Sequence, residues 1–348
     1  MAYTNINKSS DYFNTKLYTG NGTTNAITGV GFQPDLLWIK ARSSAYNHNL
    51  YDAVRGLSAG AIISNTTDAE DSVQRIATLD ADGFTTSSTN YTYTNASGTT
   101  YVAWNWLANG AGSSNTDGSI TSTVSASTTS GFSIVTYTGN GTGGATVGHG
   151  LGVAPACVIV KNRTSGTYDW LVYHKALGAT KYMALNRTDA STTSAIGWNN
   201  TEPSSSFVTL GTANAVNTNS SDYVAYCFAP KKGFSKMGSY TGNGSTNGTF
   251  VYTGFKPKYV LTKRTDGSYI WSITDGVRNP YNPTSLTLQT EYADAESGWS
   301  PLEVDFLSNG FKLRTSSAQK NGSGSPFIYM AFAEFPTVSS TGTPVTAR

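Results

Sequence analysis

The chain has 348 residues, a formal net charge of +2 and 13% charged residues, about half the usual share of roughly 25%. So even a balance argues against nucleic acid as a partner, since phosphate binders carry a clear basic excess. A hydrophobic share of 38%, with 21 Tyr and 14 Phe, is enough to bury a core and excludes disorder along the whole length.

Ser, Thr, Asn and Gly replace the missing charge, and these residues favour turns and caps over exposed helix faces. The expectation is therefore an all-β chain of many short strands. Residues 1–11 read as an N-terminal arm without the basic and apolar segments of a secretory signal. The first landmark is Tyr-Thr-Gly-Asn-Gly at 18–22, and the same five letters return at 137–141 and 240–244. A Pro turn then leads into an apolar strand ending in lysine: Gly31-Phe32-Gln33-Pro34 before Lys40, Pro155 before Lys161, and Gly254-Phe255-Lys256-Pro257 before Lys263. An aromatic strand follows, at Asn49–Asp52, Trp170–His174 and Trp271–Asp275, and a later one starts near Phe84, Phe207 and Phe311. Val73, Ile76 and Ala77 share a face and predict one short helix over 69–77. The closing strand is Tyr101-Val102-Ala103-Trp104, then Tyr223-Val224-Ala225-Tyr226, then Tyr329-Met330-Ala331-Phe332.

Each unit is about 100 residues, the size of a small domain. This divides the chain into an arm (1–11), three β-domains (12–110, 131–230, 231–336), a Gly/Ser/Thr linker (111–130) and a Ser/Thr/Pro-rich tail (337–348). The linker is expected to be flexible at its start, with a strand near Ile120–Val124. The short join at Ala229-Pro230-Lys231-Lys232 predicts that the second and third domains pack together. A line of domains and a closed cluster both remain open. Asn-Gly within the repeated pentad is a type I′ hairpin signal, and period-two alternation in the closing strand predicts one buried face. Strands at this spacing predict a sandwich or barrel.

Taken together, Tyr-Thr-Gly-Asn-Gly, Gly-Phe-x-Pro before a Lys-terminated strand, Asp-x-Val-Arg at 52–55 and 275–278, and the closing strand resemble a repeated domain of structural proteins from marine tailed phages of the T7-like cyanophage type. The second copy departs, with His174-Lys175-Ala176-Leu177 where the others have Asp-x-Val-Arg. The resemblance implies three tandem β-sandwich domains of jelly-roll, concanavalin-like form and a virion structural or tail-fibre-like role. It brings no catalytic residues with it.

The residues offer little chemistry of their own. His48, His149 and His174 are the three histidines; no Gly-x-Ser-x-Gly surrounds a serine and no His/Cys spacing fits zinc. His174 stands where the other copies have Asp, which suggests a surface or rim position. Asp80 and Asp82 invite a carboxylate-pair or calcium reading, against which Asp82-Gly83 reads as a turn. Lys40, Arg42, Lys161, Arg163 and Lys263 read as solvated strand ends or as partners of Asp52 and Asp275. Cys157 and Cys227 are too few for a disulfide framework and are expected as buried free thiols. Trp198 and Trp299 recur at similar offsets among turn residues and are the candidate contacts for a glycan or a partner protein; the alternative is a tryptophan capping its own sandwich.

The resulting expectation is a non-enzymatic component of the exposed virion surface without catalytic, cofactor or metal site, made in the host cytoplasm. It is a tail fibre or tail-associated adhesin, with capsid decoration as the alternative and a polysaccharide-degrading enzyme third. Its partners are other virion proteins, further copies of itself and a host surface glycan, without nucleic acid or membrane insertion, since no run of about 18 apolar residues exists.

Overall fold

The computed structural model describes residues 4–298 and 302–336, together with Val338 and Thr341. The described chain is all-β, apart from a few single turns of helix. Each sequence repeat contributes a larger and a smaller antiparallel sheet. In the first, strands Phe13–Thr19, Thr100–Trp106, Leu36–Ala41 and Asn49–Asp52 lie side by side, and Asn25–Thr28, Gly83–Thr86 and Ile76–Asp80 form the smaller sheet. The second and third repeats copy this plan with longer main sheets. A core between the two sheets holds each repeat together, with Ile27 and Phe84 meeting Leu37, Ile39 and Tyr101 in the first.

The alternation in the closing strand is real, but both of its faces are buried. Tyr101 and Ala103 point into their own sandwich, while Val102, Trp104 and Trp106 point the other way. That second face is shared. Trp106, Phe228 and Phe332, one from each repeat, pack against one another at centroid distances of 6.3, 5.7 and 6.0 Å. Their strands occupy equivalent register positions, opposite Leu36, Cys157 and Tyr259. The three repeats therefore close into a ring with approximate threefold symmetry around one aromatic core. Burying several aromatics of 150–250 Å² each dominates such an interface.

Strand register corrects the reading of the third closing strand. Tyr18 pairs with Tyr101, Tyr137 with Tyr223, and Tyr240 with Phe327. The equivalent of Tyr101-Val102-Ala103-Trp104 is thus Phe327-Ile328-Tyr329-Met330, two residues earlier than the matching letters suggest. The repeated pentad is not a hairpin either. The strands on its two sides enter different sheets, and only its last glycine has positive φ (Gly22, Gly141, Gly244). It is a corner pinned by a buried asparagine. Asn95, Asn217 and Asn321 accept from the backbone N–H of Asn21, Asn140 and Asn243, and each returns its amide to the following residues of the corner. The tyrosine that opens each pentad stacks on its cross-strand ring and donates to the carbonyl of Thr94, Val216 or Lys320 at 2.7 Å. The central glycine must be small, since a Cβ at Gly20, Gly139 or Gly242 would lie 2.2–2.4 Å from a carbonyl oxygen.

Three further expectations change. The stretch 69–75 is not helical: Asp71 turns inward to accept from Ala61 and Val73 N–H, and Glu70 joins an ion network. The linker is ordered. Ser113–Asn115 and Ser122–Ser127 extend the second repeat's main sheet against Phe132–Thr138. From residue 4 onward the N-terminal arm is packed, with Ile6 in the shared core. Cys157 and Cys227 are buried free thiols, as expected, on opposite faces of one sheet. The tail lies outside the described residues apart from Val338 and Thr341.

Candidate functional site

The strongest concentration of polar chemistry is inside the ring. The strand after each Pro turn ends in lysine, and the closure of the ring buries that end. Lys161 donates from Nζ to the carbonyls of Thr67 in the first repeat and Tyr168 in its own, at 2.7 and 2.9 Å; Lys263 does the same to Thr188 and Tyr269. Lys40 donates to the Ala41 carbonyl. Burial lowers these amines below the usual lysine value, to about 7 for Lys40 and about 8 for Lys161 and Lys263. They are neither solvated strand ends nor partners of Asp52 and Asp275.

Two residues beyond Lys40 and Lys161 lie Arg42 and Arg163, which start a buried ion ladder between repeats. Arg163 binds Glu70, Glu70 binds Arg55, and Arg55 binds Asp52, which accepts from the Tyr226 hydroxyl of the second repeat at 2.8 Å. The same ladder joins the third repeat to the first: Arg42 to Glu296, to Arg278, to Asp275, which accepts from Trp104 Nε1 at 3.1 Å. Burial opposes the charge on Arg55 and Arg278, but the adjoining carboxylates more than offset it and raise both pKa values. Asp-x-Val-Arg thus marks a structural joint. The third joint keeps the backbone bond, Ser191 N–H to Thr265 carbonyl at 2.9 Å, matching Glu70 to Arg163 and Glu296 to Arg42. Its side chains are neutral. His174, Leu177, Ser191, Thr265 and Met330 hold the positions of Asp, Arg, Glu, Arg and the aromatic.

None of the histidines presents a catalytic face. His174 is buried between the second and third repeats, not at a rim, with Nε2 on the Tyr329 carbonyl and Nδ1 accepting from Ala176 N–H. Burial lowers its pKa to about 4. His48 stands where the other repeats have Trp170 and Trp271. All three ring nitrogens meet a carbonyl of the neighbouring repeat, that of Gln289, Ile63 or Ala184. Trp38 Nε1–H donates to His48 Nδ1 at 2.8 Å, so Nε2 carries the proton. His149 is buried in its own repeat beside the Ser204 carbonyl.

Asp82 accepts from Gly29 and Gly31 N–H and so ties its hairpin turn to the loop after Asn25–Thr28, while Asp80 accepts from the Thr85 hydroxyl within its own hairpin. Among the described residues no group of three or more His, Cys, Asp or Glu could hold a metal ion, and no helix is long and apolar enough to cross a membrane. Trp198 is 1% exposed and packs edge-on against Tyr173. It caps its own sandwich and offers no face to a sugar or a partner. Trp299 lies outside the described residues.

The exposed aromatics are elsewhere, and sequence reading missed them. Phe250, Tyr252, Tyr281, Tyr292 and Phe335 all belong to the third repeat. The signal for Tyr281 is an insertion found only there, Asn279-Pro280-Tyr281-Asn282-Pro283. The signal for the ladders is the glutamate downstream of each Asp-x-Val-Arg, absent from the second copy.

Residues 8–336 match the family model described as Domain of unknown function (DUF7483), and the chain belongs to that family. One match runs through all three repeats. No curated protein and no solved structure matches the chain.

Proposed function

We propose that the chain is a structural protein of a tailed-phage particle, a tail-fibre-like or tail-associated adhesin that holds contact loops on a rigid block. Each repeat is read as a sandwich of the jelly-roll, concanavalin-like type. The observation that carries the reading is the closure of the three repeats around Trp106, Phe228 and Phe332. Together with it, Lys161, Lys263, His48, His174 and the Asp-Arg pairs sit at the interior joints. A chain organised this way puts its polar groups into stiffness, which suits an appendage under mechanical load. Its partners are other virion proteins, further copies and a host surface glycan, at the exposed surface of the particle.

Capsid decoration is the second reading, favoured by the approximate threefold symmetry of a single chain, which could seat on a threefold position of a shell. Mass spectrometry of purified particles followed by cryo-electron microscopy tests both. The expected result is the peptide set of this chain and ring-shaped density at the tail. Density on the shell overturns the adhesin in favour of decoration, and absence from the particle overturns both.

A further inference from the structure

The third repeat departs from the other two along one side. Between Arg278 and Leu288 its chain is longer than over the equivalent stretches 55–62 and 177–183. The neighbouring strands are longer as well: Phe255–Arg264 and Pro326–Pro336, where the first repeat has Leu36–Ala41 and Thr100–Trp106. Insertion and extension together wall a cleft of about 100 Å³. Lys256, Lys258 and Glu334 line one side, and Asn279, Pro280 and Phe306 line the other. The loop is fixed in place, since the Asn282 side chain donates to the Phe306 carbonyl at 3.0 Å and accepts from the Phe306 N–H at 2.9 Å. Tyr281, between the lining residues Pro280 and Asn282, is 81% exposed.

The cleft is small beside the roughly 300–1,000 Å³ of a site that swallows a whole drug-sized ligand. It suits one projecting group of a larger molecule that stays outside. Its polar groups have charge to spare: two ammonium groups face one carboxylate. Lys256 and Glu334 pair at 2.7 Å with more than a third of each side chain exposed, and such pairs are weak and easily exchanged. Lys258 donates to the neutral side-chain oxygen of Asn14 at 2.7 Å. Burial lowers its pKa, so an incoming anion would gain a charge-assisted hydrogen bond in a partly dry setting. Pro280 and Tyr281 add exposed apolar faces of the kind that pack on a sugar's C–H surface.

We propose that this cleft binds the carboxylate of an acidic sugar unit of a polysaccharide, with the Tyr281 ring stacked on the sugar outside it. The proposal rests on the adhesin reading and names its ligand class.

The test is saturation-transfer NMR on the full chain with methyl β-D-glucuronide, against methyl β-D-glucoside as the neutral control. The glucuronide is expected to respond and the glucoside to respond weakly or not at all. Tyr281→Ala is expected to weaken the glucuronide about fivefold and Lys256→Ala about tenfold. Both side chains reach solvent, and melting curves establish that the variants fold. Equal response to the two sugars overturns the carboxylate assignment. Unchanged affinity in both variants overturns the location, and no response to the glucuronide overturns the cleft as a sugar site. Because binding is read on the isolated chain, a negative result leaves the particle assignment to its own test. Absence from particles, in turn, would remove the adhesin while a positive binding result stood.

Discussion

Two of the three joints in the ring carry a buried ion ladder and the third has neutral side chains at the same positions, although the backbone bond across each is the same. At the joints between repeats one and two and between three and one, four charged side chains and an aromatic donor run in one ladder. Between repeats two and three, His174, Leu177, Ser191, Thr265 and Met330 fill equivalent positions. Closure therefore does not require the ladder. Buried ion pairs recover their desolvation cost only when every member is present, and an apolar replacement of similar size is often as stable or more so. What the ladders add is a demand for complete pairing, since the loss of one member leaves its neighbours buried without a partner.

The largest expected effect is the removal of one rung. Asp52→Ala or Asp275→Ala leaves a buried guanidinium short of its partner and should cost about 3–5 kcal/mol in chemical denaturation. His174→Ala, at the same position of the neutral joint, should cost about 1–3 kcal/mol through the stranded Tyr329 carbonyl and Ala176 N–H. Equal losses at all three positions would break the comparison.

Replacing a whole ladder sharpens it. Asp52→His, Arg55→Leu, Glu70→Ser, Arg163→Thr and Tyr226→Met together copy the neutral set into the first joint. This variant should match the parent or exceed it by up to about 4 kcal/mol, well above the single Asp52→Ala. A loss larger than that of Asp52→Ala would mean that the ladder itself supplies the stability.

The remaining effects are pH slopes. Lys161 and Lys263 titrate near 8 in the folded chain, below the ordinary 10.5. The unfolded chain binds more protons between these values, so stability should rise as pH climbs from about 8 to 10.5. Lys161→Met should flatten that rise. Glu291 acts in the opposite sense at lower pH. Burial raises its carboxyl from 4.5 to about 8, so its contribution is present below 4.5 and is lost as pH rises to 8. Asn65 and Asn186 accept from the His48 and Trp170 N–H as Glu291 does from that of Trp271, and Glu291→Gln should remove the slope while keeping that bond.

The repeats were legible because the pentad does fixed structural work, with its tyrosine, glycine and asparagine each having one unchanging partner. The register of the third closing strand was not. That strand is apolar on both faces, so no polar side marks which residues look inward, and Tyr329-Met330-Ala331-Phe332 imitates its counterparts two positions late. Trp198 and the basic strand ends were misplaced for a related reason. In sequence, a turn tryptophan or a terminal lysine looks solvent-facing, and only the closed ring takes the water away from the lysines. Asp-x-Val-Arg was visible as a motif with a glutamate downstream, but the partners Arg163 and Arg42 come from the neighbouring repeat, which no local pattern links to either. The helix expected over 69–77 failed because Glu70 and Asp71 are recruited into bonds that a helix would not permit.

The corner asparagines have a consequence for chemical ageing. Asn-Gly bonds deamidate when the glycine nitrogen swings onto the preceding side-chain carbonyl. At Asn21-Gly22, Asn140-Gly141 and Asn243-Gly244 that nitrogen is already donating to Asn95, Asn217 or Asn321, at 3.0, 3.3 and 2.7 Å. The asparagine oxygens meanwhile accept from Thr23, Thr142 and Ser245 N–H. Peptide mapping after alkaline storage should find the asparagines of these three corners still intact.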